Sequence, residues 1–215
     1  MCGITGVIAL TENGRQYLSK IEAGAHALRH RGPDGKGLFR DGNVAFGHTR
    51  LAVIDTTNAA AQPFHSGDGR YTIIYNGEIF NFRALRSELK KSGVKFRSDS
   101  DTEVLLELFA KEGERCLQRL NGFFAFAVFD KNDGSVFLAR DRYGEKPLYV
   151  YSGTDALIFA SEVKSFQQMS IPLQMDHAIL NAYLQLNYVP PGPWSIFNKV
   201  APLKPGTAFH FIPGS

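Results

Sequence analysis

Cys2 stands directly behind Met1 and opens the run Cys2-Gly3-Ile4-Thr5-Gly6-Val7-Ile8. Once Met1 is removed, Cys2 carries a thiol and a free α-amine on one carbon, a nucleophile with its own weak base. A thiol reacts as thiolate, with a free pKa of about 8.5. An α-amine near about 7.7–8.0 accepts that proton close to neutral pH. Position 2 equally suits a small residue ahead of a first strand, so other groups must decide between the two readings.

Four polar clusters sit where strands end or glycines turn the chain, places that present groups to a cleft. Arg50 offers a planar fork that fits a carboxylate, or a surface ion pair. Asn76-Gly77-Glu78 closes an apolar run. It can aim an amide and a backbone N–H at one point, as an oxyanion hole requires, or it can be a tight turn. In Ser98-Asp99-Ser100-Asp101-Thr102-Glu103, one residue is expected to cap a helix, which leaves a carboxylate for a substrate ammonium. The alternating charges of Arg140 to Lys146, before Pro147, read as a structural network. The six histidines have no metal-ligand spacing, and no CxxC or HExxH occurs, so no metal site is expected. Cys116 reads as a buried small residue on a helix.

The elements that must position these groups follow from periodicity and turn chemistry. Met1 to Leu10 reads as a buried strand and Glu22 to Arg29 as a helix. Val44 to Phe46 and Leu51 to Ile54 read as short strands, and Tyr71 to Tyr75 as a strand ending at Asn76. Helices are expected over Asn81 to Lys91 and from Thr102. Phe123 to Phe129 turns through Asp130–Gly134 into Ser135 to Arg140, and Pro147 to Tyr151 pairs with Ala156 to Ala160. Ser161 and Asp176 are candidate helix caps. After Tyr188 come Pro190, Pro191, Pro193, Pro202 and Pro205, which mark a boundary between a domain over 1–188 and a tail over 189–215. Antiparallel hairpins with intervening helices predict an α+β layered sandwich.

Composition fits a soluble globular protein, with 44% hydrophobic and 21% charged residues among 215. A net charge of +3 with scattered basic residues gives no nucleic-acid footprint. No run approaches the roughly 20 apolar residues of a membrane span. No secretory signal opens the chain, and two cysteines make no disulfide framework; a cytoplasmic location is expected.

Taken together, these residues resemble the class II glutamine amidotransferase domain, an N-terminal-nucleophile hydrolase, and within it the N-terminal half of asparagine synthetase. The resemblance rests on Cys2-Gly3-Ile4-Thr5-Gly6, Arg29-His30-Arg31-Gly32-Pro33-Asp34, Thr49–Asp55, Tyr75–Asn81, Ser100–Glu103, Leu120–Phe126, Arg140–Tyr149 and Phe159–Lys164, in order along the chain. It implies a four-layer αββα sandwich of two stacked antiparallel sheets. It also implies that Cys2 attacks glutamine, that Asn76 and the Gly77 N–H hold the oxyanion, and that Arg50 grips the α-carboxylate. Asp101 with Glu78 would hold the α-ammonium, and the backbone at Leu51 and Val53 would touch substrate. Glutamine would yield glutamate and ammonia through a thioester, and a synthetase domain or partner subunit would receive the ammonia to make asparagine from aspartate. Homo-oligomerisation is left open.

Two positions depart from the family. Asp99 stands where a glycine often precedes the Ser-Asp pair, which adds negative charge. The Ser-Gly-Gly-x-Asp-Ser loop that binds pyrophosphate in full-length synthetases is absent, and the tail resembles the approach to that domain. ATP and magnesium are therefore expected only for the missing domain, with no cofactor on these residues. Two other readings are a catalytically idle module that docks a synthetase partner and an N-terminal-nucleophile amidase for another amide.

Overall fold

Apolar runs too continuous for a one-sided sheet decide the architecture. β1 (Gly3–Ala9) and β6 (Gly122–Asp130) bury almost every side chain, so each must be covered on both faces. The computed structural model describes residues 1–190, 192 and 194–213. Pro191 and Pro193, two of the boundary prolines, and the last two residues of the tail lie outside the described residues.

One sheet runs β10 (Val200–Pro202), β8 (Tyr149–Ser152), β9 (Ala156–Ala160), β1, β3 (Val44–Arg50) and β2 (Gly35–Asp41). The other runs β11 (Ala208–Phe211), β7 (Val136–Arg140), β6, β5 (Tyr71–Ile79) and β4 (Phe64–His65). Neighbouring strands are antiparallel throughout. After Tyr188 the chain returns to both sheets: β10 pairs with β8 and β11 with β7.

The pleat sorts side chains between two faces. Ile4 and Ile8 of β1, Phe46 of β3, Ile74 of β5 and Phe159 of β9 meet between the sheets. Val7, Ala45 and Ile158 turn outward onto α1 (Ile21–Ala27) and α4 (Lys164–Gln168). On the far side, Ile73 and Tyr75 pack under α2 (Phe82–Lys91) and α3 (Asp101–Glu112). The layers are thus helices, sheet, sheet, helices. α5 (His177–Leu186) lies outside them and buries no residue.

Several local expectations change. β3 does not break at Gly47: that residue pairs with Thr5 on one side and Leu38 on the other, so the strand runs on to Arg50. Leu51 to Ile54 forms no strand. Its N–H groups serve other partners, Leu51 to the Cys2 sulfur and Ala52 to Asp34. Nor does β5 turn at Asn76-Gly77, because Asn76 faces Ala125 and Glu78 faces Phe123. Ser161 caps no helix; its Oγ accepts the Ile4 N–H at 3.0 Å. Asp176 caps α5 as expected.

Phe159 is fully buried between the sheets, with its ring at 5.9 Å from that of Phe46. Phe159→Ala should lower unfolding free energy by about 3–5 kcal/mol, measured by urea denaturation. A loss under about 1 kcal/mol would contradict a tightly packed inter-sheet core.

Candidate active site

Side-chain parity brings the site together. Even-numbered residues of β1, β3 and β5 face the space between the sheets, as Ile4, Phe46 and Ile74 do. Cys2, Arg50 and Asn76 have the same parity on the same strands or one step beyond them. Gly3 pairs with Thr49, so Cys2 and Arg50 are the next positions along that ladder.

The motif from His30 to Asp34 fastens the ends of both strands at this point. Arg31 Nε donates to the Cys2 carbonyl at 2.9 Å, and its Nη1 reaches Glu162 at 2.8 Å. Burial opposes ionisation of Glu162, yet hydrogen bonds from Arg31, Lys164 and His30 outweigh it and hold the carboxyl down at about 2. Gly32 must be glycine, since a Cβ there would lie 2.5 Å from the Arg50 nitrogen. Asp34 then closes the clamp: its N–H donates to the Arg50 carbonyl at 2.9 Å, and its carboxylate accepts the Ala52 N–H at 2.9 Å.

Cys2, Arg50, Asn76, Gly77, Glu78 and Asp101 line one cavity of about 150 Å³, room for a single small molecule. Leu51 and Val53 line it too. The Cys2 sulfur accepts the Leu51 N–H at 3.4 Å. Burial pushes the thiol pKa up; that N–H, the terminal ammonium and Arg50 pull it down, and Asp101 pushes it up. A guanidinium and a carboxylate therefore act on the sulfur from within the same cavity.

Arg50 is aimed by main-chain oxygens. Its Nη1 donates to the Thr57 carbonyl at 2.8 Å and its Nη2 to that of Asp55. No carboxylate among the described residues lies within ion-pair distance of it. In the acidic run, Ser100 caps α3 by accepting the Glu103 N–H. Glu103 is buried and accepts the N–H groups of Arg97 and Ser98. Asp99 is exposed and pairs with Arg86 at 3.1 Å, so its extra charge points out to solvent. Of the acids in this run, Asp101 is the one that lines the cavity. One of its oxygens accepts the Tyr75 hydroxyl at 2.8 Å and the Ile79 N–H at 3.0 Å. Burial pushes this carboxyl up, and those two bonds oppose the shift. Glu78 is exposed at the rim.

Asn76 is buried, and its Nδ2 has no partner. Gly77 offers a second free donor, for a reason that lies in the ladder. Tyr75 gives its N–H to Gln62 and Ile79 gives its to Asp101, so odd residues of β5 point away from β6. The groups of Phe124, opposite Gly77, go to Asp141 instead. β4 reaches only as far as Ile73, so nothing pairs with the Gly77 N–H from the other side. A Cβ at Gly77 would lie 2.4 Å from the Phe123 carbonyl oxygen.

Three further cavity residues have no site role legible in the sequence. Lys146 ends a charged loop expected to be structural, and Arg140 and Asp141 do knit that loop. Arg140 bonds the carbonyls of Lys146, Gly144 and Leu203, and Asp141 gathers the N–H groups of Phe124, Tyr143, Glu145 and Lys146. Yet Lys146 itself is buried in the cavity wall, its Nζ 4.1 Å from the Phe123 ring centroid and 3.1 Å from the Met1 sulfur. Burial pushes its pKa down. Gln62 and Thr102, joined at 3.2 Å, complete the wall. Among the described residues, no group of three or more His, Cys, Asp or Glu is placed to hold a metal ion.

The arrangement can bind a zwitterion between Arg50 and Asp101 and present its side chain to a thiol beside two free donors. A family model described as a glutamine amidotransferase domain matches residues 1–214. The chain belongs to that family. It is 38% identical to "Asparagine synthetase [glutamine-hydrolyzing] 1" of Bacillus subtilis, across 99% of this chain and 34% of the relative. It is 37% identical to "Asparagine synthetase [glutamine-hydrolyzing] 3" of Arabidopsis thaliana, across 95% and 35%. The chain thus spans about a third of the length of these curated relatives. Among solved structures, the glutamine phosphoribosylpyrophosphate amidotransferase of B. subtilis superposes with a TM-score of 0.66 at 26% identity, covering 79% of this chain and 44% of that one. An allosteric regulatory enzyme of purine biosynthesis shares the fold, with a TM-score of 0.72 at 22% identity over 98% and 47%.

His48, between the sheets beside this cavity, is fully buried, and burial drives its pKa down to about 3. The unfolded chain protonates it near about 6.5. Unfolding therefore takes up a proton between these values, so stability is full above pH 6.5 and drains as pH falls towards 3, by at most about 1.4 kcal/mol per unit. His48→Gln should flatten that part of the stability profile in urea titrations at pH 7, 6 and 5. An unchanged slope would contradict a neutral buried imidazole.

Proposed function

We propose that this domain hydrolyses glutamine to glutamate and ammonia through a Cys2 thioester. The observation that carries the reading is the buried, unpartnered Asn76 Nδ2 in one cavity with the Cys2 thiol and with Gly77, whose N–H the strand ladder leaves unpaired. Leaving a buried donor unpaired costs about 1–3 kcal/mol. An idle docking module has no use for such a cost, whereas an oxyanion formed during reaction removes it.

Removal of Met1 frees the Cys2 α-amine. The thiol proton passes to the amine as the sulfur attacks the side-chain amide carbon of glutamine. Asn76 and Gly77 receive the negative oxygen. Collapse breaks the C–N bond, the α-ammonium returns its proton to the departing nitrogen, and ammonia leaves. Water, deprotonated by the same amine, then splits the thioester to glutamate. Arg50 holds the substrate carboxylate. Asp101 holds the ammonium, whose arrival favours the ionised carboxyl, and Glu78 assists from the rim. The main chain at Leu51 and Val53 lies along the bound substrate.

The relatives are named glutamine-hydrolysing asparagine synthetases, which supports the reading that the ammonia serves asparagine synthesis. On this proposal a synthetase domain or partner subunit receives it and makes asparagine from aspartate. The apolar side of α5 is suited to meet that receiver, with Leu184 67% exposed and Tyr183 and Leu186 beside it. ATP and magnesium are assigned to that receiver and to none of these residues. Both cysteines are free, which accords with a cytoplasmic setting; no helix among the described residues is long and apolar enough to cross a membrane.

The purified protein should release glutamate from glutamine, and Cys2→Ala should abolish it. Asn76→Ala should lower kcat by about 10²–10³-fold, while Arg50→Ala should act mainly on KM. Undiminished glutamate release by Cys2→Ala would refute the mechanism.

A further inference from the structure

We propose that His48 is a positioning residue, whose imidazole crosses from one sheet to the other to hold the Tyr75–Asn76 peptide so that the Asn76 and Gly77 donors stay aimed into the cavity. The inference rests on the glutaminase reading for its kinetic consequence and on the ladder geometry for its structural one.

A free Gly77 N–H requires that no strand pair with β5 on that side. The segment carrying both donors is then an open edge, and an edge without a neighbour is the part of a sheet that moves most easily. Side chains replace the neighbour. Gln62 Oε1 accepts the Tyr75 N–H at 2.6 Å, and Asp101 accepts the Ile79 N–H at 3.0 Å. On the same side lies the Tyr75 carbonyl, directly before Asn76, and His48 Nε2 lies 3.2 Å from it.

A carbonyl oxygen only accepts, so Nε2 carries the proton and Nδ1 is bare. Nδ1 is also buried and unpartnered. A leucine or phenylalanine would fill the space between the sheets without that orphan nitrogen, so packing alone does not account for an imidazole here. The bond to Tyr75 does. Its ring is held on a central strand, with His48 opposite Ile4 on one side and Gly37 on the other. The anchor is therefore stiffer than the edge it steadies. Burial keeps the ring neutral, so it adds no charge beside Arg50.

Loss of this bond should misplace the oxyanion donors and leave the Arg50 and Asp101 grips intact. His48→Met removes the donor at similar volume. His48→Gln keeps an amide N–H at the reach of Nε2, and His48→Asn carries one too short to reach. His48→Met and His48→Asn should lose about 10- to 100-fold in kcat, with KM for glutamine within about twofold, and His48→Gln should restore kcat to within about threefold of the parent. Hydrogen exchange across residues 74–79 should quicken in the first two and not in His48→Gln. Equal kcat in all four proteins, or equal losses in His48→Gln and His48→Met, would overturn the inference, as would unchanged exchange in His48→Met or in His48→Asn. If the parent released no glutamate, the glutaminase reading would fall, while the exchange comparison would still decide whether His48 steadies the strand.

Discussion

The register of β1 against β3 is the constraint on which the cavity depends. Gly3 opposite Thr49 and Ile4 opposite His48 put the even positions of both strands into the space between the sheets. A slip of one residue would turn Cys2 and Arg50 to opposite faces and carry Ile4 and Ile8 out of the core. Several bonds outside the ladder guard that register. Ser161 Oγ takes the Ile4 N–H and Thr5 Oγ1 donates to the Phe159 carbonyl, which fixes β1 against β9 on its other side. Arg31 holds the Cys2 carbonyl and the Asp34 N–H holds the Arg50 carbonyl, which pins the two strand ends together. The hydrophobic gap and the polar site are thus one device: the apolar half of the alternation fixes the pairing, and the pairing fixes the polar half.

The second sheet contributes an edge that is kept deliberately unpaired. β4 is short, and beyond it β5 is lined by Gln62, His48 and Asp101 rather than by a strand. This gives the Gly77 N–H to the cavity and distributes the job of rigidity among side chains. Asp101 does double duty, since it fastens Ile79 and lines the ligand space, and Tyr75 links the set by donating its N–H to Gln62 and its hydroxyl to Asp101. The charge pattern follows the same logic. Among the described residues Arg50 is bound by main-chain oxygens and Asp101 by neutral donors, so each leaves its charge for a ligand.

Much of the site was legible because its chemistry needs particular residue types. A cysteine beside the amino terminus, an arginine after an apolar run and an acidic residue opening a helix each carry their meaning locally. The resemblance then joined them, which spacing alone had not done. Local signals failed where pairing at long range overrode them. Asn76-Gly77 has turn chemistry, yet β6 holds it in a strand; Leu51 to Ile54 has strand composition, yet its N–H groups are spoken for by Cys2 and Asp34. Gln62 is invisible because nothing in its neighbours marks it, and Lys146 is marked only as one charge of a structural loop. They enter the cavity only through the Asp141-centred loop and the approach of β4 to β5. His48 was seen only as a histidine without metal spacing, since its role exists solely across the gap between sheets.

The most direct test of the account is intact-mass and peptide mass spectrometry of the protein after incubation with a glutamine analogue that carries an electrophile at the side-chain carbonyl. The account predicts one equivalent of adduct, on Cys2 of a chain that lacks Met1, with glutamine protecting against it. An unlabelled Cys2, or an adduct confined to Cys116, would contradict it.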